Sequence, residues 1–144
     1  MAGSHPQRLV THWLPLILWA GAIFTFSSQP AMPHVGPKLN ETEYFFDYAA
    51  HAAEFGLLCG LAWRAFRASA AAWLSRRPAL AAWAFSALYA ALDEAHQALV
   101  PGRMATLSDW LVDAAGAALM GAAVSLWSRR WGTGRRHAPI EAAR

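Results

Sequence analysis

Cysteine is nearly absent from this 144-residue chain: Cys59 stands alone. One thiol excludes an internal disulfide framework and every multi-cysteine zinc or iron–sulfur site. Charge is scarce too, at 15% of residues, where a water-soluble domain carries roughly 25%. There is no Gly-rich phosphate loop, no GxSxG elbow and no HExxH helix. No Ser-His-Asp arrangement and no internal repeat is evident. The net charge of +3 fits a nucleic-acid binder only superficially. The basic residues do not cover a soluble surface but lie between long apolar stretches, so nucleic acid is excluded as a partner.

What fills the chain instead is apolar. Hydrophobic residues make up 56%, with eight Trp. Four stretches approach the roughly 20 residues needed to cross a bilayer: about 9–28, 45–66, 79–100 and 108–127. Pro30, Pro33, Gly36 and Pro37 mark a loop between the first two, and Pro101-Gly102 ends the third with a tight turn. Ala70 to Pro78 forms a short connection, and residues 129–144 read as a basic, disordered tail. The first stretch is too long for a signal-peptide core and no A-x-A site follows it, so it is expected to stay as a membrane helix. The fold class expected is all-α, a polytopic four-helix transmembrane bundle formed by residues 1–128. Alanine bias favours close helix packing, as does the pair Gly56 and Gly60.

Basic residues set the orientation. Arg8 precedes the first stretch; Arg64, Arg67, Arg76 and Arg77 lie between the second and third; Arg129, Arg130, Arg135, Arg136 and Arg144 follow the fourth. Only Lys38 and Arg103 fall on the other side. Both termini are therefore expected in the cytoplasm. Trp13, Trp63, Trp73, Trp83, Trp127 and Trp131 form an aromatic belt near that face.

Six of the nine acidic residues, Asp47, Glu54, Asp93, Glu94, Asp109 and Asp113, lie inside the stretches or at their edges. A charge at mid-bilayer costs about 2.5–3.5 kcal/mol on insertion scales, so such residues face the bundle interior and mark function. All six sit at the ends that alternating topology sends outward. Ser27, Ser28 and Gln29 arrive there as well. With Glu41 and Glu43, eight acidic residues face Lys38 and Arg103, a formal charge of −6. Crowded carboxylates are neutralised either by protons or by a divalent metal.

Spacing groups these residues by face. Asp47, His51 and Glu54 share one face of the second stretch, reaching about 10 Å inward at 1.5 Å per residue. Ser86, Tyr89, Asp93 and Gln97 form a stripe on the third, with His96 beside it and Glu94 turned away. Asp109, Asp113 and Gly116 line up on the fourth. Asp47 and Asp109 also suit helix capping. Arg103 serves either as a counter-ion to Asp93 or Asp109, or as a fork for phosphate or carboxylate oxygens. Cys59 reads as an inert buried thiol.

These residues resemble the VanZ-like family of small bacterial membrane proteins. The matching elements are Phe26-Ser27-Ser28-Gln29, Asp47 with His51, Glu54 and Phe55, and above all the run from Asp93 to Arg103 (DEAHQALVPGR), followed by Ser108-Asp109, Gly116 and Gly121. Two positions depart from the family pattern. Tyr48 stands where Lys is frequent, and Asp113 where Asn is usual; both make the cluster more acidic. The resemblance implies a bacterial cytoplasmic-membrane location and a link to the cell envelope, the namesake being associated with resistance to the glycopeptide teicoplanin. It supplies no reaction type.

Three functions follow as expectations. The first is a site for the head group of an envelope lipid or lipid-linked precursor. Its binding residues would be Ser28, Asp47, Tyr89, Gln97, Arg103 and Asp109. If it turns substrate over, the chemistry is metal-assisted hydrolysis or transfer. Glu54, Asp93 and Asp113 would then hold a divalent metal, with His51 or His96 as base and Glu94 and Arg103 completing the catalytic set. The second is a proton-coupled lipid carrier or sensor, which in so small a chain calls for a homodimer. The third is an assembly partner whose buried polar residues lock helix register.

Overall fold

The computed structural model describes residues 9–30 and 41–132. Lys38, Arg8 and the tail arginines Arg135, Arg136 and Arg144 lie outside the described residues. All regular structure among the described residues is helical. A π-helical turn, Leu9–Trp13, leads into α1, Leu14–Ser27. The long helix α2 spans Glu41–Arg67, and a single turn, α3, spans Ala72–Arg76. Helix α4 covers Pro78–Gln97 and α5 covers Leu107–Gly132. The four long helices coincide with the four expected apolar stretches. α2 begins earlier than expected and α5 runs on past residue 127. The short helix α3 is an addition that the alanine-rich connection did not announce.

Pro15 explains the irregular entry to α1. A proline has no N–H, so it cannot close the α-type bond back to the carbonyl four residues earlier, that of Thr11. The Arg64 guanidinium of α2 donates to that carbonyl instead. A sequence-local defect is thus repaired by a neighbouring helix.

The core is a stripe on α2. Phe55, Leu58, Cys59, Ala62, Ala65 and Phe66 are buried at helical spacing, and they meet Ala82 and Ala90 of α4 and Ala117 of α5. The most extensive contact is between α2 and α5; α1 touches α2 and α4 more sparingly. Glycine makes the α2–α5 contact close. A Cβ on Gly116 would overlap the Ala52 backbone, only 2.6 Å from its Cα, and a Cβ on Gly56 would stand 3.3 Å from the Gly116 carbonyl. Gly60 meets Met120 of α5 on the same side. The Gly56/Gly60 pair therefore serves contact within the chain.

The outer surface reverses the usual pattern. Leu88, Leu92, Leu99 and Leu119 are 62%, 61%, 82% and 73% exposed, while Ser27, Ser86, Asp93, Gln97 and Asp113 are buried. Large contiguous apolar surface is rare on a protein that meets water. Two segments, Val10–Ser27 and Leu107–Arg130, are long and apolar enough to cross a membrane. α2 and α4, which carry Asp47, Glu54, Asp93 and Glu94 along their length, are not among them. The distribution is that of a membrane protein.

Candidate functional site

The polar side chains gather where the start of α2, the end of α4 and the start of α5 meet the end of α1. Each is brought there by helix periodicity. On α4, Ala82, Ser86, Ala90, Asp93 and Gln97 form one buried stripe. On α5, Asp113 and Gly116 are buried with Asp109 half-buried one turn earlier. On α2, His51 and Glu54 are half-buried and Asp47 is exposed.

Two clusters result. In the first, Asp93 Oδ2 accepts hydrogen bonds from Ser27 Oγ at 2.7 Å and Gln97 Nε2 at 2.9 Å. This ties α1 to α4 through buried groups. One residue outward, Ser28 Oγ lies 2.6 Å from Phe24 O and 3.0 Å from His96 Nε2. A hydroxyl has one proton, and here it points at the Phe24 carbonyl, so His96 donates through Nε2. The His96 ring also stacks on Phe24, with centroids 4.7 Å apart.

In the second cluster, His51 Nδ1 lies 3.4 Å from Asp113 Oδ1 across the α2–α5 contact. Both atoms are buried, and neither reaches hydrogen-bond geometry with any group among the described residues. Buried polar atoms are nearly always bonded, so an exception calls for an explanation.

Several expected site residues turn inward on the fold. Arg103 pairs with neither Asp93 nor Asp109. Its Nε and Nη2 donate to the carbonyls of Gln29 and Phe26, at 3.2 and 3.1 Å, closing the end of α1. Glu94 accepts the Thr106 backbone N–H. Thr106 Oγ1 in turn accepts from the Asp109 N–H at 3.2 Å, capping α5. A capping box joins these two roles within one helix; here the acid comes from α4. Tyr89 donates to the Ala20 carbonyl at 2.7 Å. Its partner is backbone because α1 crosses at that level.

Of the expected metal set, Asp93 and Asp113 each have a different neighbour. Asp93 is held toward α1 by Ser27 and Gln97, whereas Asp113 faces His51 on α2. Among the described residues no group of three or more His, Cys, Asp or Glu side chains is placed to hold a metal ion.

The sequence model of the VanZ/LLP1 family matches residues 12–128. The chain belongs to that family. No curated protein and no solved structure matches it.

In this VanZ/LLP1 protein the run Asp93 to Arg103 builds a joint. Asp93 accepts from both Ser27 and Gln97, Glu94 caps the next helix, and His96 meets Ser28. Gly102 takes φ 79° in the turn that follows. The Arg103 N–H closes that turn onto Val100 O at 3.1 Å, a type II arrangement that needs glycine at its third position. The turn aims Arg103 back at α1. Thr106 was not singled out from sequence, although the Thr-x-x-Asp spacing before an apolar run carries the capping signal. From sequence Trp19 reads only as lipid- or core-facing, and Trp110 carries no signal. Their indole N–H groups bond Glu54 O and Ala87 O, each at 3.1 Å, and nothing local foretells a cross-helix carbonyl.

Proposed function

We propose that this VanZ/LLP1 protein is a four-span protein of the bacterial cytoplasmic membrane that binds the polar head of an envelope lipid or lipid-linked precursor at its outer face. α1, α2, α4 and α5 are the spans, both termini are cytoplasmic, and residues 1–128 form the functional unit. The basic residues support this orientation, ten of twelve lying on one side.

One observation carries the binding reading. His51 Nδ1 and Asp113 Oδ1 are buried and paired at 3.4 Å, and among the described residues neither makes a hydrogen bond of good geometry. Incoming hydroxyl or amino groups would satisfy both at once. Glu54 on the same helix face and Asp47 one turn outward widen the acceptor surface. The formal −6 and the engagement of Arg103 with α1 carbonyls favour a hydroxyl-rich or amine-bearing head group over a bare phosphate. Direct hydrogen bonding, without turnover, is the economical reading of this geometry.

The test is native mass spectrometry of the detergent-purified protein in the presence of bacterial envelope lipid extract. The wild type should retain a lipid-linked mass that His51→Gln and Asp113→Asn lose. Equal retention by all three proteins overturns the reading. A second reading, assembly with locked helix register, draws on the cross-helix bonds of Trp19, Tyr89 and Trp110. It expects the same variants to change folding yield and nothing else.

A further inference from the structure

The opposite end of the helices carries a different chemistry. Between the end of α2, the start of α4 and the end of α5, a cleft of about 340 Å³ opens among Trp63, Arg76, Arg77, Ser128 and Arg129. The acidic side chains described on α2, α4 and α5 lie toward the far ends of those helices, except Glu54, which is midway along α2. Along α5, Asp113 and Arg129 are about 24 Å apart at 1.5 Å per residue. The Arg67 guanidinium sits 5.2 Å above the Trp63 ring at the same end. Among the described residues no side chain caps the first turn of α4, whose N-cap is Arg77. The helix start therefore adds its own positive potential to that of the arginines.

A second cleft, about 270 Å³ and almost wholly apolar, runs between α4 and α5 past Trp83, Ala118, Gly121 and Ala122. The two clefts share Ala79, Leu80 and Ser125, so the basic mouth leads directly into the apolar groove. Small residues on α5 create that groove, since opposite them α4 presents only Ala79, Leu80 and Trp83. A positive mouth continuous with a greasy slot on a lipid-facing surface matches one kind of molecule in both halves.

We propose that this composite cleft holds an anionic phospholipid, its phosphate against Arg76, Arg77 and Arg129 and one acyl chain along the α4–α5 groove. The site is separate from the acidic cluster. In the orientation given above, it draws its lipid from the cytoplasmic leaflet. Anionic lipid is abundant at such surfaces and each nearby basic residue adds to its attraction.

The experiment titrates the full-length, detergent-purified protein with dioleoyl phosphatidylglycerol, dioleoyl phosphatidylcholine or inorganic phosphate and reads retained adducts by native mass spectrometry. Phosphatidylglycerol should be held preferentially, each arginine removed weakening it about fivefold. The triple variant Arg76→Gln, Arg77→Gln, Arg129→Gln should erase the preference. Ala122→Leu, at an exposed groove position, should weaken both lipids by filling the slot. The triple variant should still retain the lipid-linked mass that His51→Gln and Asp113→Asn lose, which separates this site from the one proposed above. Equal retention of the two lipids by the wild type overturns the proposal. So does full displacement of phosphatidylglycerol by inorganic phosphate, which would mark a free-phosphate site. Should the triple variant fail to fold, Ala122→Leu decides, and undiminished phosphatidylglycerol retention in it overturns the proposal.

Discussion

His51 faces Asp113 across 3.4 Å because Gly116, three residues along α5, has no side chain to hold the Ala52 backbone away. The pair and the glycine are one device. Adding a methyl at Gly116 forces α2 and α5 apart, an overpacking cost of about 1–3 kcal/mol. Gly116→Ala should therefore lower thermal stability in detergent and abolish the lipid-linked mass tested above. Gly21→Ala is the control. A Cβ there meets nothing within 4 Å among the described residues, so the gain in helix propensity, about 0.5–1 kcal/mol, should appear as unchanged or slightly raised stability.

The Asp93 cluster makes a separate prediction. Ser27→Ala removes one of two donors to the same carboxylate oxygen, and a typical bond of this kind contributes about 1 kcal/mol. Asp93→Leu strands Ser27 and Gln97 together and should cost more than Ser27→Ala and Gln97→Ala do singly. A double-mutant cycle between positions 27 and 93, read by urea-dependent loss of helicity, should show coupling. Strict additivity would count against the tie between α1 and α4.

Arg103 is predicted to act on α1 rather than on a ligand. Arg103→Ala frees the Phe26 and Gln29 carbonyls, and charged hydrogen bonds of this sort contribute about 1.5–3 kcal/mol. Hydrogen exchange at the Ser28 and Gln29 amides, which bond Phe24 O and Phe26 O, should accelerate roughly tenfold for the lower of those energies. Arg103→Lys should restore little, because one ammonium does not span two carbonyls. Unchanged exchange would return Arg103 to the pool of ligand-binding candidates.

Glu94 and Thr106 form a cap, so their variants should behave as cap variants. Thr106→Ala should cost about 1 kcal/mol, the usual loss at an N-cap. Glu94→Gln keeps an acceptor for the Thr106 N–H and should retain both stability and head-group binding. Loss of binding in a folded Glu94→Gln protein would restore the chemical role that its sequence position first suggested.

Orientation is open to direct labelling. In a Cys59→Ala background, Met104→Cys and Trp73→Cys offer thiols at positions 77% and 73% exposed. A membrane-impermeant maleimide added to intact cells should label position 104 and spare position 73 until the membrane is opened. The reverse pattern would invert the proposed topology.

The positions of the four long helices, the apolar outer faces and the gathering of acids toward one end are legible in the sequence. They depend only on the 3.6-residue period, on span length and on the alternation of direction from one stretch to the next, which act along the chain. The buried stripe of Ser86, Asp93 and Gln97 is such a case. Partner choice is not local, because it depends on how far each helix is rotated and slid against its neighbour. That relationship turned Arg103 to the end of α1, set Glu94 on the cap of α5 and matched Tyr89 with Ala20. It also set Asp113 opposite His51, where two helices meet through glycine.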